Sequence, residues 1–406
     1  MRLILGTTLA LGLLFAAGPA AAEPACADHD PLRRPFFGDF HIHTGYSMDA
    51  YTMDQRNTPD DAYRFARGEA IRLPPLDSGG AMTREVRLER PLDFAAVTDH
   101  AEFLGEVAQC TRPASEMYES VYCRGFRGVG PDGEPVEGIM GRTAAMYGRS
   151  TEEHMRSMDA QGHPPTVCGE DGALCRSAAR TVWRETQVAA ERWNDGTDAC
   201  RFTSFIAYEY SLTPNLAKVH RNVVFANTSV PALPLSAADE PEPANLWRWL
   251  DRECLSAEGD CDAVAIPHNS NLSNGRMFHV AYPGTETVEE QAALARLRAQ
   301  AEPLVEIMQV KGDSECATGM WKVEGGTDEF CGFEKFRVGE PEDCEDRFEA
   351  GALGGRGCRS RLDFARYALA EGLREQERIG ATPYKFGFIA STDTHNANPG
   401  VVEEYS

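Results

Sequence analysis

Seven short apolar runs rich in Phe, Val, Ile and Ala punctuate the chain, at 36–42, 92–98, 202–208, 222–226, 263–267, 305–310 and 386–391. Runs of this length read as buried strands. Helical patterns fill several of the intervals. Asn57-Thr58-Pro59-Asp60-Asp61 has a Thr cap, Pro at the first helical position and acids in the first turn, which marks a helix start. That helix carries Ala62, Phe65 and Ala66 on one side and stops near Gly68. Residues 173–193, 289–299 and 362–377 predict three more helices. Strand alternating with helix at this length predicts an α/β fold with a mainly parallel sheet, and the sites of such folds collect at the carboxyl ends of the strands.

One pair breaks the alternation. The runs around Tyr208 and His220 are joined by a link containing Pro214, too short for a helical crossover. An antiparallel hairpin is predicted, with Glu209 leaving its first strand beside His220 entering its second. Residues 125–181 and 312–361 are rich in Gly, Cys and charge and show little periodicity, so they are expected as disulfide-pinned insertions outside the main body.

The polar residues just beyond the apolar runs change the picture from fold to chemistry. His41-Ile42-His43 follows the first run, and residues two apart on a strand point to one face, so both imidazoles can reach one ion. Thr98-Asp99-His100, Pro267-His268-Asn269 and Thr392-Asp393-Thr394-His395 repeat the arrangement. With Asp49, Glu209 and His220 this makes nine candidate metal ligands: His41, His43, Asp49, His100, Glu209, His220, His268, Asp393 and His395. Six of the ten histidines of the chain are among them. Mixed imidazole and carboxylate donors suit zinc, manganese or iron, and nine are too many for one ion. Burying Glu209 within Tyr208-Glu209-Tyr210 without a partner would be costly, which favours a cation beside it. Asp99 and Glu102 flank His100 as acceptors that orient it or, for Glu102, as a helix start. Arg221, Arg276 and Lys311 near the strand ends are candidates for binding an anionic group. His29, His154, His163 and His279 read as solvated loop residues. No Gly-x-Ser-x-Gly elbow, Walker loop or dinucleotide fingerprint is present.

Composition places this chemistry outside the cytoplasm. Met1-Arg2, the apolar stretch 3–17 and Ala20-Ala21-Ala22 have the pattern of a secretory signal peptide, with residues 1–22 removed. The apolar stretch is too short for a convincing span, so no membrane insertion is expected after cleavage. All 12 cysteines lie beyond that point, as expected for disulfides in a periplasmic or secreted protein. Local pairing is expected for Cys110/Cys123, Cys168/Cys175, Cys254/Cys261, Cys316/Cys331 and Cys344/Cys358. None has the C-x-x-C spacing of a thiolate zinc ribbon. The net charge of −23 argues against nucleic acid as a partner. It would also repel an anionic small-molecule substrate at long range unless bound cations reverse the local field.

The order of motifs resembles the polymerase and histidinol phosphatase (PHP) superfamily: His-x-His, an acid six residues on, Thr-Asp-His, a lone Glu, two separated His, and a final Asp-x-His. The wording of 37–44, 56–63 and 92–105 looks like an exported branch of that superfamily catalogued only as a domain of unknown function. The resemblance covers 36–400. It implies a distorted (β/α)7 TIM-like barrel, so that residues 23–406 form a single domain, and a trinuclear metal site. It also implies one ion on His41, His43, Glu209 and Asp393, a second on bridging Glu209 with His220 and His268, and a third on Asp49, His100 and His395. A barrel normally follows its last strand with a covering helix. Because the sequence stops at Ser406, eleven residues after His395, it is expected to be truncated at the C-terminus.

The function expected is an exported metal-dependent hydrolase, a phosphoesterase using hydroxide held by two or three divalent ions (zinc, manganese or iron). An amide or lactone hydrolase and a non-catalytic metal-binding module are the alternatives.

Overall fold

The computed structural model describes residues 35–156, 162–323, 329–337, 339 and 341–402. The signal-peptide segment 1–22 lies outside the described residues. All seven expected strands are present: β1 (Gly38–Ile42), β4 (Phe94–Val97), β5 (Thr203–Leu212), β6 (Val219–Phe225), β7 (Ala263–His268), β8 (Leu304–Gln309) and β10 (Gly387–Ala390). Three further short strands accompany them. β2 (Ile71–Leu76) and β3 (Met82–Val86) form a separate antiparallel pair, and β9 (Gly312–Asp313) pairs with β8.

The main sheet runs β1-β4-β5-β6-β7 and curls into a half-barrel. β1, β4 and β5 are parallel, whereas β6 is antiparallel to both β5 and β7. The predicted hairpin is therefore present, with a shifted register. β5 continues to Leu212, so Glu209 pairs with Asn222 and His220 pairs with Ser211. Glu209 and His220 are diagonal neighbours on one face, which long side chains span.

A second sheet, β10-β8-β9, stands beside β7 and β1. The ladders do not close into a full TIM-like barrel. β7 and β8 share no ladder; Asn271 instead reaches across through its Nδ2 to the Lys311 carbonyl at 3.0 Å. β10 meets β1 through a single bridge between Ile42 and Thr394. Asp39 reinforces that seam. Its buried carboxylate accepts from Thr392 Oγ1 (2.6 Å), the Thr392 amide (3.1 Å) and the Gly400 amide (2.9 Å).

Helices cover the outer face. α2 (Pro59–Ala66) begins at a Thr58–Asp61 capping box with Pro59 at its first position, as the sequence predicts. α8 (Ala173–Trp193) lays Val182, Trp183, Thr186, Ala189 and Ala190 inward. Trp183 stands edge-on to Tyr208 at 5.9 Å and donates through Nε1 to the Pro231 carbonyl. α10 (Val288–Ala301) and α11 (Ala365–Ile379) match the two later helices to within a few residues. α1 (Met48–Thr52), α3 (Leu104–Thr111) and α9 (Pro243–Leu250) cap the loops.

The first insertion departs from expectation. α4 (Val121–Phe126) leads into it, and it holds α5 (Gly138–Met146), α6 (Thr151–Arg156) and α7 (Pro165–Cys168). Helices this short carry too few turns to register as periodicity, and Cys110–Cys123 and Cys168–Cys175 supply the constraint instead. Cys254–Cys261, Cys316–Cys331 and Cys344–Cys358 complete the five expected local disulfides.

Candidate metal centre

β1 delivers His41 and His43 to one face, and their Nε2 atoms converge on two carboxylates. They lie 3.4 and 3.3 Å from Asp393 Oδ1, and 3.7 and 3.2 Å from Glu209 Oε2. Asp393 follows β10 with φ at +54°, a left-handed conformation that an aspartate tolerates better than most residues. Glu209 sits at the middle of the group. Its Oε1 contacts His220 Nδ1 and lies 3.1 Å from His268 Nε2, while its Oε2 lies 3.1 Å from His100 Nδ1. At the outer edge Asp49 Oδ2 stands 3.1 Å from His100 Nε2 and 2.8 Å from His395 Nε2.

All nine residues expected as ligands thus form one continuous cluster. Within it, three sets offer donor atoms within 4.8 Å of one another: His41, His43 and Glu209; Glu209, His220 and His268; and His43, Asp49, His100 and His395. The sets overlap through Glu209 and His43. A further trio of Glu106, His163 and Cys168 has similar spacing, but Cys168 is bonded to Cys175 and has no thiolate to offer.

The donors fit divalent ions. His41 Nε2, His43 Nε2, Glu209 Oε2 and His220 Nδ1 are buried and face other members of the cluster rather than any group outside it. Imidazole nitrogens and carboxylate oxygens gathered in this way form a donor set suited to a divalent cation. The charge state agrees. Burial pushes the Glu209 carboxyl up, but His100, His220 and His268 outweigh it and hold it well below the usual carboxylate range. Asp393 is held down against burial by His41 and Lys311, and Asp49 by His395 and His100. Burial, helped by His395 and His100, drives His43 well below the imidazole range, and burial takes His220 to about 3. His41 and His100 move the other way. Burial lowers both, but Asp393 and Glu306 raise the first, while Glu209 and Asp49 carry the second up to about 10. Bound cations would take over the balancing of these carboxylates and displace any proton from the ligating nitrogens.

Supporting residues lock the rings. Glu306 on β8 is buried and places both carboxylate oxygens 3.1 Å from His41 Nδ1. The sequence reading missed it, although a carboxylate inside an apolar run was the available signal. His43 Nδ1 meets Ser47 Oγ at 2.9 Å, and that hydroxyl donates to Asp99 at 2.9 Å. Asp99 therefore acts on the His43 side rather than by bonding His100. Glu102 accepts from the Ser211 and Ala237 amides, and it is Ser211 Oγ that meets His100 Nδ1.

The three cationic candidates separate. Lys311 Nζ contacts the Asp393 carboxylate and belongs to the cluster. Arg221 does not. It is the strand neighbour of His220 and so faces the opposite way, buried with its Nε 2.8 Å from Glu302 Oε1. Arg276 donates to the Glu349 carbonyl and lies over Phe348, apart from the ligands. Two of the histidines expected to be solvated are not: His154 is buried on α6, and His163 is clamped between Glu106 (2.6 Å) and Asp239 (3.5 Å). His279 is exposed as expected, one side of its ring against Phe348. His29 lies outside the described residues.

A family model described as "Protein of unknown function (DUF3604)" matches residues 30–406. The chain belongs to that family. Comparison with curated proteins and comparison with solved structures each find no match. The family match spans both insertions and every residue of the cluster. Among the described residues no helix is long and apolar enough to cross a membrane.

Proposed function

We propose that this protein is an exported metal-dependent hydrolase of the PHP type, its two sheets being a distorted (β/α)7 barrel, and that it acts on phosphoesters. The observation that carries the reading is Glu209: one buried carboxylate touched on both oxygens by imidazoles from β6, β7 and the loop after β4, with the His41 and His43 nitrogens facing it. Structural sites are usually closed by four ligands, whereas this cluster offers eight residues in overlapping donor sets, with Asp393 beside His41 and His43 as a ninth.

His41, His43, Glu209 and Asp393 would hold one ion, Glu209 with His220 and His268 a second, and Asp49, His100 and His395 a third. Held there, divalent ions would supply an acidified water and charge stabilisation for an attacked phosphoryl or carbonyl group. The chain supplies the rest. Glu306 and the Ser47–Asp99 pair fix the His41 and His43 rings, and Glu209, His220 and His268 on the β5–β6–β7 wall are buried away from bulk water. Lys311, beside Asp393, adds positive charge where a substrate oxygen would enter. Five disulfides support an oxidising compartment.

The test is a hydrolysis screen of phosphomonoesters, phosphodiesters, carboxylic esters, amides and lactones on protein made in an oxidising compartment, with bound metal counted in parallel. Phosphoester turnover lost in both His41→Ala and Asp393→Ala is expected. Turnover that survives both, or folded protein that binds one ion or none, rejects the reading; turnover of lactones or amides alone reassigns the substrate.

A further inference from the structure

One wall of the cluster is built from hydrogen-bond donors. Lys218 lies two residues before His220 and so shares its face of the chain entering β6. It is only 7 % exposed, and its ammonium donates to Asn269 Oδ1 at 3.0 Å. Asn269 directly follows His268 and is held in a left-handed conformation at φ +51°. Its Nδ2, on the same amide as the oxygen that meets Lys218, is buried and has no partner. Lys311 arrives from the end of β8, with Nζ on Asp393. The bond from Asn271 Nδ2 to the Lys311 carbonyl ties these two loops together, and the two ammonium groups are near enough to repel each other.

Two ammonium groups and a free amide form a seat for negative charge, because buried like charges are costly without a counter-ion. Asp393, the counter-ion of Lys311, is shared with His41 and His43, and the group that Lys218 meets, the Asn269 amide, is neutral.

We propose that Lys218, Lys311 and the Asn269 amide seat the non-reacting oxygens of a dianionic phosphoryl group, which makes the substrate a phosphomonoester rather than a phosphodiester. This rests on the hydrolase reading above. A diester carries one charge, and its second ester group would face these donors with an alkyl chain. Hydrolysis forms a P–O bond to the water oxygen and breaks the ester P–O bond, the leaving alkoxide taking a proton from water.

The test is calorimetric titration of the metal-replete protein with inorganic phosphate and, separately, with dimethyl phosphate at about pH 8, where phosphate is mainly a dianion. Phosphate is expected to bind at least about tenfold more tightly than dimethyl phosphate. Lys218→Met and Lys311→Met are each expected to weaken phosphate about tenfold and to leave dimethyl phosphate within about twofold, at unchanged metal content. Asn269→Ser, a milder change if a lysine variant fails to fold, is expected to weaken phosphate about threefold. Phosphate affinity unchanged in all folded variants overturns the proposal. So does a Lys311 variant that loses metal but binds phosphate normally per metal-replete chain, since the lysine is then only a counter-ion of Asp393. Because binding is read apart from turnover, lysine-dependent phosphate binding without phosphoester hydrolysis rejects the hydrolase reading alone. Phosphoester hydrolysis with lysine-independent phosphate binding rejects the seat alone.

Discussion

The cluster has an inner part and a rim, and they are built differently. His41, Glu209, His220 and His268 are strand residues, with His43 and Asp393 immediately beyond β1 and β10; none has a side chain more than 5 % exposed. Asp49 comes from the five-residue helix α1, and His100 and His395 from loops, with side chains 22, 12 and 15 % exposed. The inner rings of His41 and His43 are held through Nδ1 by the side chains of Glu306 and Ser47, whereas His395 Nδ1 meets the backbone carbonyl of Asp393. A strand fixes its side chains through the ladder to its neighbour, while a loop fixes them through a few local bonds. The inner positions should therefore hold their ions tightly and the rim should exchange its ion.

The strongest way to break this contrast is to remove one ligand from each part. Glu209→Gln is expected to cost about a thousandfold or more in kcat/KM, because the carboxylate common to two donor sets loses its charge. Asp49→Asn is expected to cost about tenfold to a hundredfold and to release a single ion, measured by metal analysis. Equal losses would mean that the two parts work as one unit.

Next in size is the partner of His41. Glu306→Gln should lower metal affinity about tenfold to a hundredfold, read by competition with a chelator, whereas Ser211→Ala at the rim should change it only a few-fold. A larger effect at Ser211 would reverse the assignment of the rigid part.

The smallest expected effect concerns the insertion that flanks the rim. His163 bonds to Asp239 and Glu106, which raise its pKa to about 10. A histidine raised on folding adds stability that is fully present below its unfolded value, near 6.5, and is lost as pH climbs through about 10. Both His163 and Asp239 are partly exposed, so solvent screens the gain. His163→Gln should lower Tm by about 1–2 °C near pH 6 and by less near pH 10.5. A deficit that grows at high pH would show that the residue acts through packing instead.

Much of this was legible beforehand. The seven strands, the β5–β6 hairpin, α8 and the five disulfides follow from apolar runs, loop length and cysteine spacing. Other features were harder to see. β2 and β3 lie away from the main sheet, and Pro74-Pro75 hides the first of them. The short helices of the insertion have no periodicity to read. Arg221 was within reach of the same rule that found the histidines: a strand neighbour of inward-facing His220 must face outward. That rule also puts Lys218, two residues away, on the inward side.

By itself the sequence determined which residues could meet, because a period of two sends His41 and His43 to one side of the chain and most of the other ligands stand in or just beyond predicted strands. Tertiary structure alone decided how they meet. The curl of the sheet brings β1 opposite β5 and β7, and the extension of β5 to Leu212 sets the hairpin register. The left-handed turn at Asp393 leaves its carboxylate on the two histidines. Each depends on contacts between segments far apart in the chain, so no local pattern encodes the distance between the opening His-x-His pair and Glu209.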